Sequence, residues 1–165
     1  ISLSRLCRAI AGMESVISPV IHGSIDVDNL DNIARYAHAI HIPVAFDGWV
    51  ENVPAYLRDK DFVISTSLFE SFHYSIAEGM ASGVLPLIHD WLGADQLYPK
   101  RYVFTTPADS VRLLKELEAS KRPTLQAECR DFITQRYDNR KQLQKIETLI
   151  AHTLSGENCE ANHDK

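Results

Sequence analysis

Cysteine is scarce and poorly placed for structural work. Cys7, Cys129 and Cys159 are the three in the chain. They have neither CxxC nor metal-ligand spacing, and an odd count closes no disulfide framework. A reduced, cytoplasmic setting is the resulting expectation. Basic excess is lacking as well, because 17 Lys and Arg stand against 22 Asp and Glu for a net charge of −5. Without a clustered Lys/Arg run there is no electrostatic footprint for a nucleic-acid partner. No stretch approaches the ~20 apolar residues of a bilayer-spanning helix. Internal repeats and low-complexity tracts are also absent. The opening Ile1-Ser2-Leu3-Ser4-Arg5 shows neither an initiator Met nor a signal peptide. We therefore expect a fragment or excised domain of a longer protein.

What remains is an ordinary globular composition, 45% hydrophobic and 24% charged over 165 residues, enough for one domain with a core. Apolar, β-branched runs recur at Val16–His22, Pro43–Phe46, Phe62–Thr66, Val84–His89 and Tyr102–Phe104. Several are continuous rather than alternating, as in strands covered on both faces. Helical patterns lie between them: Asp28–Ile40, His73–Ser82 ending before Gly83, and Asp109–Ala119 with Asp109 or Ser110 as its cap. Thr124–Leu154 reads as two helices broken near Tyr137–Asn139. Alternating strands and helices predict an α/β fold, a Rossmann-like parallel sheet with helices on both faces. One domain is expected over residues 1–154, with residues 155–165 a polar, disordered tail. Such sheets bind ligands past the carboxyl ends of their strands. The segments after Ser65, after His89 and around Gly23 are thereby the candidate site loops.

The informative stretch is FVISTSLFESFHYSIAEGMASGVLP, Phe62 to Pro86. It reads as a strand, a short loop holding Glu70, and a helix holding Glu78. Ser71, Ser75 and Glu78 are spaced so that a continued helical path sets them on one edge. Free amides and the macrodipole at the helix start suit a phosphate or diphosphate. A carboxylate in the helix can accept two ribose hydroxyls, and one in the loop can accept hydroxyls of a sugar.

Glu70-x₇-Glu78 followed by Gly79-Met80-Ala81-Ser82-Gly83-Val84-Leu85-Pro86 resembles the E-x₇-E signature of retaining glycosyltransferases of family 4. The usual pattern there is close to E-G-F-G-x-S-x-x-E-A-M-A-x-G-x-P. Weaker similarities extend along the chain, at His22-Gly23-Ser24, Phe46-Asp47-Gly48-Trp49, Tyr56–Phe62 and Trp91-Leu92-Gly93-Ala94. The resemblance implies the C-terminal, donor-binding half of a two-domain GT-B fold. It assigns the catalytic donor-sugar contact to Glu70 and the ribose hydroxyls to Glu78. The amides of Ser71, Phe72, His73 and Tyr74 would cradle the sugar and distal phosphate, with Ser75 beside them. The base would lie near the loops after Gly23, with Ser24, and after Gly48. It further implies a nucleoside-diphosphate sugar such as a UDP-sugar as donor, no metal and no other cofactor. The acceptor would be a glycan or glycoconjugate bound by an N-terminal domain upstream, through which the full-length protein would touch the inner membrane face.

Two departures from the pattern stand out. Ser71 and His73 occupy positions often held by Gly, where a bare backbone approaches the donor. The family's diphosphate-binding Arg and Lys follow the first strand of this domain. Here Arg5 and Arg8 lie on what reads as the helix after it, and neither is assigned that role. These departures motivate an alternative, a catalytically inactive nucleotide-binding or regulatory module of the same fold. A GT-B sugar-nucleotide epimerase is another. A flavodoxin-like signalling domain would need an early acidic cluster and a later Lys, and neither is evident. His22 reads more readily as a partly buried structural residue than as a base contact, His89 with Asp90 as turn formers at a strand end, and Trp91 as a packing residue.

Overall fold

A computed structural model of the chain describes residues 20–22 and 45–155, with residues 32, 34, 35 and 37–39 of a helix between them. Five strands follow in chain order: β1 (Val20–His22), β2 (Ala45–Gly48), β3 (Phe62–Ser65), β4 (Leu85–His89) and β5 (Val103–Phe104). The helices are α1 (Val53–Leu57), α2 (Tyr74–Ala81), α3 (Ala94–Leu97), α4 (Pro107–Ala119), α5 (Arg122–Tyr137) and α6 (Asn139–Ser155). A 3₁₀ turn at Lys100–Tyr102 precedes β5.

Every pairing among the described strands is parallel. β1 pairs with β2, and β3, β4 and β5 lie in that order with Ser65 opposite Ile88 and His89 opposite Phe104. β4 is buried at all five positions, as a central strand covered on both faces must be. Around it Ile76 and Met80 of α2, Leu113, Leu114 and Leu117 of α4, and Cys129 of α5 form one core with Tyr98, Tyr102 and Phe104. The expected Rossmann-like α/β architecture is the observed one.

Boundaries moved where capping overrode pattern. α4 starts at Pro107, earlier than expected, because Thr106 rather than Asp109 or Ser110 caps it. Thr106 Oγ1 accepts from the Asp109 amide and Asp109 Oδ2 from the Thr106 amide, each at 3.1 Å. Asp109 is thus the return arm of a capping box. The break between α5 and α6 falls at Asp138, whose Oδ1 accepts from the Arg140 amide at 2.9 Å. Ser155, expected in the tail, closes α6 instead, and the remainder of that tail lies outside the described residues. No described helix is long and apolar enough to cross a membrane.

α2 is fixed at both ends. Its C-terminus closes in a Schellman motif, with the Gly83 amide donating to Met80 O at 3.0 Å and the Val84 amide to Gly79 O at 2.8 Å. Gly83 holds φ +83° there, and an added Cβ would lie 2.0 Å from Arg130 Nη1. The N-terminus begins at His73, in the left-handed region with φ 61° and ψ 71°.

Candidate functional site

Beyond Ser65 the chain leaves β3, crosses residues 66–73, and enters α2 above the strand end. This segment brings Glu70, Ser71, Phe72, His73, Tyr74, Ser75 and Glu78 into one loop and the following helix. The left-handed turn at His73 breaks the helical path before Tyr74. The continued helical path that would set Ser71 on one edge with Ser75 and Glu78 is therefore not present. Those two, three residues apart inside α2, do lie on one exposed face.

Glu70 is half-buried and its Oε1 accepts from Ser67 Oγ at 2.8 Å. The same oxygen lies 3.8 Å from His73 Nδ1. His73 Nδ1 is 2.9 Å from Ser65 Oγ. Burial pushes the His73 imidazole below its ordinary value, and the nearby Glu70 carboxylate pulls the other way without prevailing. A neutral ring taking the Ser65 hydroxyl on Nδ1 fits that balance.

The backbone of the loop is held from below by Tyr98. Its hydroxyl donates to the Phe72 carbonyl at 2.5 Å and to the His73 carbonyl at 3.1 Å. Burial raises the Tyr98 phenol far above its ordinary value, with Tyr137 and Glu70 adding to it. Phe72 is an anchor as much as a lining residue, edge-on to Tyr137 at 4.9 Å and to Tyr74 at 5.1 Å. At the helix start the amides of Ile76 and Ala77 return to the His73 carbonyl, at 3.1 and 3.4 Å. Those of Tyr74 and Ser75 take no acceptor among the described residues. An open groove of about 560 Å³ runs beside α2, with Tyr74, Glu78, Tyr137, Asn139 and Gln142 on its walls.

Of the other expected site residues, Gly48 ends β2 opposite His22. Gly23, Ser24, Arg5 and Arg8 lie outside the described residues, as does the side chain of His22. Trp91 is 3% exposed and belongs to the core. His89, a turn former in the sequence reading, is instead a buried hydrogen-bonding residue, its Nδ1 2.9 Å from the Ser67 carbonyl. Ser65, Ser67 and Tyr98 carried no signal in the sequence. Asp59-Lys60-Asp61 has the spacing of a metal pair, yet Asp59 bonds Lys60 at 3.2 Å and Asp61 bonds Arg122. Among the described residues no group of three or more His, Cys, Asp or Glu could hold a metal.

A parallel α/β sheet with a carboxylate-bearing loop and helix at a strand end is a Rossmann-like ligand-binding architecture. Residues 3–118 match the family model described as glycosyl transferases group 1, and the chain belongs to that family. No curated protein matches the chain by sequence. Among solved structures, Anabaena HepE in complex with UDP is 20% identical with a TM-score of 0.77, over 94% of this chain and 45% of that one. A TarM mutant from S. aureus, in complex with fondaparinux, alpha-GlcNAc-glycerol and UDP, is also 20% identical, with a TM-score of 0.76 over 89% of this chain and 31% of that one. The catalytic domain of cholesterol-alpha-glucosyltransferase from Helicobacter pylori is 17% identical, with a TM-score of 0.66 over 81% of this chain and 92% of that one. These likenesses show the fold, that of GT-B glycosyltransferases. The chain spans less than half the length of the HepE and TarM chains.

Proposed function

We propose that this chain binds the donor of a retaining, family 4-like glycosyltransferase, whose full-length form transfers a sugar from a nucleoside-diphosphate sugar to a glycan or glycoconjugate. In this reading Glu78 accepts the ribose hydroxyls and Glu70 those of the donor sugar. The amides of Tyr74 and Ser75 and the positive end of α2 receive the distal phosphate. The principal chemical task there is stabilising the leaving diphosphate. The observation that supports the reading is the make-up of the segment after β3: one carboxylate in the loop, one in the helix, and unbonded amides at the helix start, between them in the chain. HepE has been crystallised with UDP and with UDP-glucose, which makes these the ligands to try first.

Calorimetric titration of the chain with UDP tests it. A hydrogen bond to a charged group contributes about 1.5–3 kcal/mol, so Glu78→Ala should weaken UDP by about tenfold or more. Unchanged affinity would overturn the ribose assignment. The proposal requires no metal, so EDTA should leave the titration unaltered.

A catalytically inactive module is the second reading, and His73 in place of the family's usual Gly is the observation that favours it. Turnover of a radiolabelled donor by the full-length protein would exclude it. An epimerase would interconvert the nucleotide sugar without any acceptor.

A further inference from the structure

Outside the carboxylate pair, one residue bonds Glu70 and a second bonds that residue in turn. Ser67 Oγ donates to Glu70 Oε1 at 2.8 Å, and the carbonyl of the same Ser67 accepts from His89 Nδ1 at 2.9 Å. A carbonyl oxygen only accepts, so this His89 carries its proton on Nδ1. His89 is 8% exposed, ends β4, and meets the Phe104 ring edge-on at 5.8 Å. The bond therefore ties the loop bearing Glu70 to a buried strand. A second tie runs from the Ser67 amide to Ser65 Oγ at 3.4 Å, and Ser65, 2% exposed, bonds His73 Nδ1 at 2.9 Å.

We propose that Ser67, held in place by His89, is a positioning residue for Glu70. The Ser67 hydroxyl occupies Oε1 and fixes the carboxylate rotamer, so that Oε2 is aimed and free to accept from a donor-sugar hydroxyl. This rests on the reading of Glu70 as the sugar contact. A glutamate in a loop loses considerable rotamer freedom on binding. Fixing it beforehand removes that cost from the donor complex. The effect belongs to the sugar alone, because nothing in it touches the nucleotide.

Side-chain scalar couplings of Glu70, measured by NMR on the ligand-free chain, should report one dominant rotamer. They should average in Ser67→Ala and return in Ser67→Thr, which keeps the hydroxyl. In calorimetry Ser67→Ala should weaken UDP-glucose by about tenfold while changing UDP by less than about twofold. His89→Phe, which removes the donor and keeps the ring, should act in the same direction. If His89→Phe does not fold, the Ser67 pair alone decides. Averaged couplings in the unaltered chain, unchanged couplings in Ser67→Ala, or equal losses for both ligands overturn the proposal. Failure of the unaltered chain to bind UDP overturns the donor-site reading instead, and the ligand-free couplings still decide the positioning role.

Discussion

His73 holds a left-handed backbone conformation that is uncommon for any residue but glycine, and it is the one non-glycine with positive φ among the described residues. A left-handed residue costs roughly 1–2 kcal/mol without glycine. The Ser65 bond to its ring and the Tyr98 bond to its carbonyl hold it there. The sequence comparison explained the family glycine by close approach of a donor, and the backbone angle supplies a second cause that no single sequence could reveal. Because burial lowers the His73 pKa against the opposing Glu70, the unfolded chain takes up the proton first. Stability linked to this ring is thus fully present above about pH 6.5, the ordinary histidine value, and is lost as pH falls toward the folded-state value. Glu70 is the titratable group facing the ring, while Tyr98 meets only the backbone carbonyl. Urea midpoints should drop as pH falls below about 6.5, and less steeply for His73→Asn, which tolerates the left-handed region. Identical slopes in the two proteins would exclude the ring as a source. Glu70 and Glu78 stood out in the sequence because a long motif frames them, and their donor roles are part of the proposal. Ser67, His89 and Tyr98 did not: Ser67 is one of several small polar residues in the loop, and the bonds of His89 and Tyr98 reach carbonyls 22 and 26 residues away and leave no mark on side-chain pattern.

At the scale of elements, α2 sits unusually close to β3. A Cβ on Gly79 would lie 2.6 Å from Val63 Cγ1 and 3.2 Å from Val63 Cβ. Where the family pattern has Ala, this chain has Gly, and the helix approaches accordingly. Alanine would raise helix propensity by up to about 1 kcal/mol. Against that, overpacking a stiff, β-branched neighbour costs about 1–3 kcal/mol. Gly79→Ala should therefore lower unfolding stability by about 1 kcal/mol in urea titration, and a gain would show that Val63 yields without strain. The same helix illustrates what pattern reading can deliver. Its C-terminus was legible because Gly83 follows an apolar run, and the Schellman bonds account for that glycine. The start of α4 was misplaced because Thr106-Pro107-Ala108-Asp109 offers two plausible caps, and only the paired bonds identify Thr106.

At the scale of the molecule, the strand–helix alternation was readable because β4 and its neighbours are nearly unbroken apolar runs. The burial of α6 was not. Its apolar positions Leu143, Ile146, Leu149, Ile150 and Leu154 recur at helical spacing, the pattern of a face that packs against a core. Yet they are 51–82% exposed. Residues 139–154 are exposed throughout, so α6 takes little support from the sheet and its core. Helices draw most of their stability from packing of the apolar face. A helix without that support opens locally, at a small fraction of the global unfolding free energy. Amide exchange in α6 should consequently run on the order of a hundredfold faster than in α2, whose Ile76 and Met80 are fully buried. Comparable protection in the two helices would mean that something covers the stripe in solution, and α6 would then have to be counted as part of the core.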